Sequence, residues 1–286
     1  MDVTFKKLLS QSVSLLVKAG VDSPCLDSEI LLAHALDCSR EKMVTELERK
    51  VAPKQLERFQ SLLERRCRRE PINYIIGSKE FWSIEFKVNP SVLIPRPETE
   101  FLMLRLLELN QDRFSPSRIL DIGTGSGNLA IIPALEFPKS RVVSIDISSA
   151  ALETARYTAC LHQVEKRIRF LRGDIFDDVF CKKLQNFDFI LSNPPYIKTG
   201  DLSSLMPEIR DFEPNCALNG GIDGLNFYRR IIPFARDKLT VGGFLIFEIG
   251  DDQWPFVSKL LGECFFKSGF LPDYSGKPRA IFAQKD

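Results

Sequence analysis

The sequence predicts an α/β protein: a doubly wound, mostly parallel sheet, preceded by a small helical domain and joined to it by a β-hairpin connector. Three observations predict it. From Pro97 onward, helical stretches alternate with short apolar runs, the pattern of parallel strands with crossover helices. Residues 1–80 carry helical periodicity and no strong strand signal. Between them, residues 81–96 are aromatic and β-branched and are interrupted by prolines, which reads as a hairpin and a connector. The 286 residues, 44% hydrophobic and 27% charged, are enough for one or two globular domains with a substantial core.

The elements follow in order. At the start, Lys6 and Lys7 precede an apolar stretch interrupted by Ser10, Gln11, Ser12 and Ser14, so an amphipathic helix is expected rather than a signal peptide. Ser23 can cap a second helix that has Pro24 at its first position and Asp27 and Glu29 in its first turn. A further helix starts at Pro53, with Leu56, Phe59, Leu62, Leu63 and Cys67 on one face. It must end before Pro71, because a residue preceding proline is pushed out of the α region. The strand candidates are 118–123, 141–147, 168–174, 187–193, 242–250 and 278–284. This divides the chain into a helical domain (1–80), a hairpin and connector (81–96) and a sheet domain (97–286). Pro133 is expected to kink the helix that follows the first strand of the sheet.

Several function classes are disfavoured. Thirty-nine Lys and Arg balance thirty-eight Asp and Glu, giving a formal charge of +1, whereas a stable duplex-binding protein more often carries a basic excess. The run Arg65-Arg66-Cys67-Arg68-Arg69 reads either as a phosphate site or as a solvated helix end favourable to the helix dipole. No apolar run is long enough to span a membrane. Seven cysteines without a CxxC pair suggest reduced thiols and a cytoplasmic location. With only His34 and His162, neither a metal site nor a Ser-His-Asp triad has enough parts, and no metal is expected.

The chemistry is carried by strand ends. The run ending at Ile122 leads into Gly123-Thr124-Gly125-Ser126-Gly127, with Asp121 two residues before the loop. The position after Gly127 is Asn128, so a G-x-G-x-x-G dinucleotide fingerprint is not met, and the loop suits a ligand without a pyrophosphate. Asp146 closes the second run, about 20 residues past the loop, where an acid can accept both hydroxyls of a ribose. Asp174 closes the third run, where it or a neighbouring backbone amide can meet an adenine edge. Together these suggest a nucleoside ligand with positive charge, such as S-adenosylmethionine, with Asp121 facing the sulfonium side.

The fourth run ends in Asn193-Pro194-Pro195-Tyr196. Adjacent prolines fix φ, so the carbonyls of this turn point in set directions. The Asn193 side-chain oxygen and the Pro194 carbonyl are two acceptors that match the two donors of a planar NH2 group, with Tyr196 packing against it. An amide or arylamine nitrogen is a poor nucleophile. Acceptors that hold both N–H groups can aim it at a methyl group and favour a tetrahedral geometry.

These motifs resemble those of the protein-(glutamine-N5) methyltransferases that modify peptide chain release factors, the PrmC/HemK family. The resemblance runs over nearly the whole chain: Glu70 to Gly77, Ile94 to Glu100, the glycine loop, NPPY, Glu213-Pro214, Gly220 to Leu225, Phe247 to Gly250, Gln253, Asp273, Gly276 and Arg279. It implies a Rossmann-like methyltransferase sheet and transfer of a methyl group from S-adenosylmethionine to the glutamine of the release factor's Gly-Gly-Gln loop. Gly123 to Gly127, Asp146, Asp174 and Ile175 would then line the cofactor site, with Asn193 at its edge. Asn193, Pro194, Pro195 and Tyr196 would hold the glutamine, with Asn193, Pro194 and Tyr196 serving catalysis. The helical domain would grip the protein substrate, and no stable nucleic-acid or membrane partner and a monomeric state are expected. Pro133 and Thr158 depart from the family pattern. NPPY is shared with enzymes that methylate amino groups of nucleic-acid bases, so the same chemistry on a ribosomal-protein glutamine or a base stays open, as does a binding module without turnover.

Overall fold

A computed structural model describes residues 3–265 and 267–286. Five helices come first: α1 (Phe5–Lys18), α2 (Pro24–Ala35), α3 (Arg40–Thr45), α4 (Pro53–Cys67) and α5 (Ile72–Ile76). A hairpin of β1 (Ser78–Phe81) and β2 (Ile84–Lys87) follows, then α6 (Glu100–Leu109), β3 (Arg118–Ile122), α7 (Asn128–Glu136), β4 (Arg141–Asp146) and α8 (Ser149–Leu161). The chain continues through β5 (Ile168–Arg172), α9 (Asp178–Lys182), β6 (Phe187–Ser192) and α10 (Pro207–Arg210). It ends with α11 (Asn226–Lys238), β7 (Leu239–Glu248), α12 (Trp254–Gly262), β8 (Lys267–Pro272) and β9 (Pro278–Gln284).

Two compact units emerge. The first takes in everything up to Gly77 together with Met206–Phe212, which includes α10. Its core is apolar, with Phe5, Leu16, Leu31, Leu32, Met43 and Phe59 all buried. The N-terminal helix is capped by Thr4, whose side chain accepts from the Lys7 amide, while α2 starts on Pro24 without a side-chain cap from Ser23. The arginine run closing α4 divides: Arg68 stays in solvent beside Glu64, whereas Arg66 and Arg69 are withdrawn into ion pairs. Arg66 is 7% exposed and meets Asp27 at 2.7 Å and Glu208 at 3.0 Å. Arg69 also meets Glu208, at 2.6 Å, and Arg65 makes two bonds to Glu70 at 2.8 and 2.6 Å. Burial raises the Glu208 carboxyl, but hydrogen bonds from Arg69 and Arg66 outweigh this and hold it below its ordinary value.

The second unit is built on a seven-stranded sheet in the order β5-β4-β3-β6-β7-β9-β8. Strands β5, β4, β3, β6 and β7 are parallel, and β9 and β8 are antiparallel to their neighbours. Phe187, Ile190, Leu245 and Phe247 lie in one buried cluster, and Ile119, Leu191 and Ile246 in another. Burial on both faces explains why the strands read as continuous apolar runs. The hairpin begins at Ser78 rather than at residue 81, because Lys79 and Glu80 gave its first strand no apolar signal. A two-residue turn joins its strands, with Trp82 and Ser83 both at positive φ (53° and 58°). Thr158, the departure in α8, accepts from the Lys87 amide at 3.2 Å, and so ties the end of the hairpin to that helix. Helix α7 runs on through Pro133 to Glu136, and the Phe137 amide donates to the Pro133 carbonyl at 2.9 Å.

Candidate active site

The strand order reverses between β3 and β6, and ligands of open α/β sheets bind in the crevice beyond such a point. Register makes this concrete. Ile122 at the end of β3 pairs with Ile145 on one side and with Ser192 on the other. The residues that follow therefore emerge side by side: the glycine loop, Asp146 and Asn193. They line one cleft together with Gly173, Asp174 and Ile175 after β5.

Within the loop, the amides of Gly123 and Thr124 both donate to the Ile145 carbonyl, at 2.9 and 3.1 Å. The Gly125 amide donates to Asp146 Oδ2 at 3.0 Å, and the Ser148 amide donates to Oδ1 at 2.8 Å. Burial raises the Asp146 carboxyl above its ordinary value, while the Gly125 and Ser148 amides act in the opposite direction. The four lone-pair directions of a carboxylate outnumber the amides that act on it, so it keeps accepting capacity for a ligand donor. The Asp174 carboxylate closes its own turn by accepting from the Phe176 amide at 2.9 Å.

Three of the residues expected in the site lie behind it. Asp121 does not line the cleft. It is fully buried, its Oδ2 accepts from Thr124 and from Ser144 (3.0 Å), and its Oδ1 has no partner. Ser144 is its cross-strand partner in register, so the side chain is committed beneath the loop. Burial pushes its carboxyl up to about 7, against the pull of the two hydroxyls. Gly127 likewise is absent from the lining. A Cβ there would stand 2.9 Å from Ala155 Cβ and 3.0 Å from Ile131 Cδ1, so this glycine lets α7 pack on α8. Tyr196 turns its hydroxyl to Glu248 Oε1 at 3.2 Å instead of presenting a face to the cleft.

Asn193, Pro194 and Pro195 do line it. Asn193 Nδ2 donates to Thr99 Oγ1 at 3.0 Å, and Thr99 Oγ1 donates to Glu248 Oε2 at 2.6 Å. Burial raises the Glu248 carboxyl, with the Thr99 hydrogen bond and the Arg279 charge opposing. The far end of the turn is pinned by Gln253, whose Nε2 donates to the Tyr196 carbonyl at 3.0 Å and whose Oε1 accepts from Tyr228 at 3.0 Å. Gly220 allows the next loop to lie against the turn, since a Cβ there would fall 2.7 Å from Tyr196 Cα. Among the lining residues Arg96 is the single cation, and its Nη2 reaches the buried Glu213 at 2.5 Å.

A model described as the PrmC N-terminal domain matches residues 7–77, and one described as the methyltransferase small domain matches residues 98–208. Release factor glutamine methyltransferase from Geobacter sulfurreducens is 39% identical over 96% of this chain and 92% of its own length. The one from Moorella thermoacetica is 38% identical over 99% of both chains. The chain belongs to the release factor glutamine methyltransferase family. The 16S rRNA N2 G1207 methyltransferase of T. thermophilus, solved with AdoMet and guanosine, has a TM-score of 0.53 over 73% of this chain and 50% of that one. Its identity is 20%, and the likeness establishes the Rossmann-like methyltransferase fold.

Within this family member, the residues that hold Asn193 were not legible as a site. Thr99 and Glu248 lie in segments of the sequence that only the resemblance singled out, and neither carries a chemical motif of its own. The sequence signal available was their position: Thr99 just before α6, and Glu248 at the C-terminal end of β7, the strand beside β6.

Proposed function

We propose that the cleft binds S-adenosylmethionine and that the Asn193-Pro194 end holds the side-chain amide of the glutamine in a release factor's Gly-Gly-Gln loop. The observation that carries this reading is the register of the sheet, which sets Asp146, the glycine loop and Asn193 on three neighbouring strand ends. The residues fit the cofactor. Gly123 and Gly125 both have positive φ, and a Cβ on either would meet nothing within 4 Å, so the loop leaves an open cradle. Asp146 faces that cradle as an acceptor for ribose hydroxyls, while Ile147 and Ile175 offer apolar sides to a purine.

When bound, S-adenosylmethionine supplies a methyl group on a positively charged sulfur. The protein's part is orientation. Asn193 Oδ1 and the Pro194 carbonyl accept the two N–H groups of the glutamine amide, aim its nitrogen and stabilise the N–H bonds as they become more polar. The nitrogen would gain the carbon as the sulfur–methyl bond breaks, the electron pair leaving with sulfur as a neutral thioether, and would lose one proton to solvent. Asp121, Gly127 and Tyr196 serve the same site from behind, by fixing the loop, the helix packing and the turn. The helical unit, matched by the PrmC N-terminal domain, would contribute the grip on the protein substrate.

The test uses labelled cofactor with intact release factor, with its Gln→Glu variant and with duplex DNA. Label is expected on the release factor alone. The carboxylate of the variant has no N–H to offer and would leave both acceptors unpaired. Label mainly in DNA, or equally in the Gln→Glu protein, overturns the reading.

A further inference from the structure

Glu248 is fully buried at the end of β7 and does not line the cleft, yet one of its oxygens is spent on the turn that does and the other on Thr99, which holds Asn193 of that turn. Oε2 accepts from Thr99 at 2.6 Å and Oε1 accepts from Tyr196 at 3.2 Å. A threonine hydroxyl has one proton. Because Thr99 gives that proton to Glu248, its oxygen can only accept from Asn193, and Asn193 must turn Nδ2 toward it. The atom left for the cleft is Oδ1, an acceptor. The flipped amide would present an NH2 group to the incoming NH2, donor against donor. To regain a bond to Thr99, the flipped amide would also have to draw that proton away from a buried carboxylate, which is costly.

We infer that Glu248, acting through Thr99, is a positioning residue that fixes which atom of the Asn193 amide faces the substrate, and thereby sets the site for a donor-bearing amide. The inference rests on the reading of Asn193 as the holder of the glutamine amide. In its ionised form, which the Arg279 charge and the two hydroxyl donors favour against burial, a carboxylate is suited to this task because it can only accept. A glutamine in its place could donate to Thr99 as readily as accept from it, and the polarity of the whole chain of bonds would be free to reverse.

The experiment compares Thr99→Val, Thr99→Ser, Glu248→Gln and Asn193→Ala in the full-length enzyme, with kcat and KM for release factor measured separately. Thr99→Val and Glu248→Gln are expected to lower kcat by about tenfold or more, with a smaller change in KM, as for loss of one preorganised polar group. Thr99→Ser, which keeps the hydroxyl, should recover most of the rate. A merely structural Thr99 would give no such contrast, so equal impairment in Thr99→Ser and Thr99→Val overturns the inference. It is overturned alone if Thr99→Val turns over at the parental rate while Asn193→Ala does not. A parental rate in Asn193→Ala instead removes the reading of Asn193 itself, and the inference with it.

Discussion

Gly127→Ala and Gly125→Ala should fail in different ways, although both glycines belong to one motif. At Gly127 the backbone sits at φ +92°, and an added Cβ would stand 2.9 Å from Ala155 Cβ, 3.0 Å from Ile131 Cδ1 and 3.3 Å from Ala155 Cα. The left-handed conformation costs a residue with a side chain about 1–2 kcal/mol. Forcing a methyl group between two packed helices adds about 1–3 kcal/mol. Gly127→Ala should therefore lose about 2–5 kcal/mol of stability while the folded fraction retains most of its cofactor affinity. At Gly125 φ is +53° and the Cβ meets nothing within 4 Å. Its stability loss should be about 1 kcal/mol, from the backbone alone. Its Cβ would occupy the cradle, so cofactor affinity should fall by about tenfold or more. Urea unfolding gives the first quantity and titration calorimetry with S-adenosylmethionine the second. A Gly127→Ala protein that keeps its stability but binds poorly, or a Gly125→Ala protein that binds normally, would refute the division of labour.

Three further outcomes are expected. Asp146→Ala should weaken cofactor binding by about 1–3 kcal/mol, the scale of lost hydrogen bonds to a charged group; unchanged affinity in calorimetry would remove it from the ribose site. Glu208→Ala leaves Arg66 and Arg69 without their shared carboxylate and should cost about 3–5 kcal/mol in thermal or urea unfolding, as for a broken buried pair; a near-parental melting curve would refute the role of that cluster. Because burial raises Asp121 from 3.8 to about 7, the folded state favours its protonated form, and its contribution to stability is full below 3.8 and is lost as pH rises to about 7. Unfolding free energies of the parent and of Asp121→Asn should thus diverge by up to about 4 kcal/mol across that window, and parallel pH profiles would contradict the assignment.

How much of this was legible in the sequence depended on the range of the interaction. The parallel strands were readable because burial on both faces demands consecutive apolar residues, as in Ile119-Leu120 or Phe189-Ile190-Leu191. Strand β8 was not, since Lys267–Pro272 is an edge strand with no fully buried residue. Its Gly269 leaves room for the Phe282 ring, so no alternation was visible. The strand-end residues of the site were legible because an open parallel sheet sends them to one crevice whatever the details of packing. What pins them was not. Thr99 meets Asn193 across 94 residues and Glu248 across 149, and no local spacing encodes either contact. Asp121, Gly127 and Tyr196 stand in motif positions, yet a motif does not say which members face the ligand and which carry the loop.

The arginine run of α4 bears on the choice of substrate in the same way. In sequence it is a block of four cations; in the structure each meets a carboxylate. Arg65 pairs with Glu70, Arg66 with Asp27 and Glu208, Arg69 with Glu208, and Arg68 with Glu64 at a looser 3.7 Å. Binding to a polyanion draws its strength from cations that displace condensed counterions, and an arginine already bound to a carboxylate must first give up that partner. Arg66 and Arg69 would have to abandon a shared, nearly buried Glu208, which costs far more than a surface pair. The run therefore supplies little of the counterion-release term that nucleic-acid binding needs. The charge of Arg66 and Arg69 is spent within the helical unit, between α2, α4 and the Met206–Phe212 segment. A planar NH2 group in the cleft fits a base and a glutamine equally well, and this spent charge favours the glutamine of a protein.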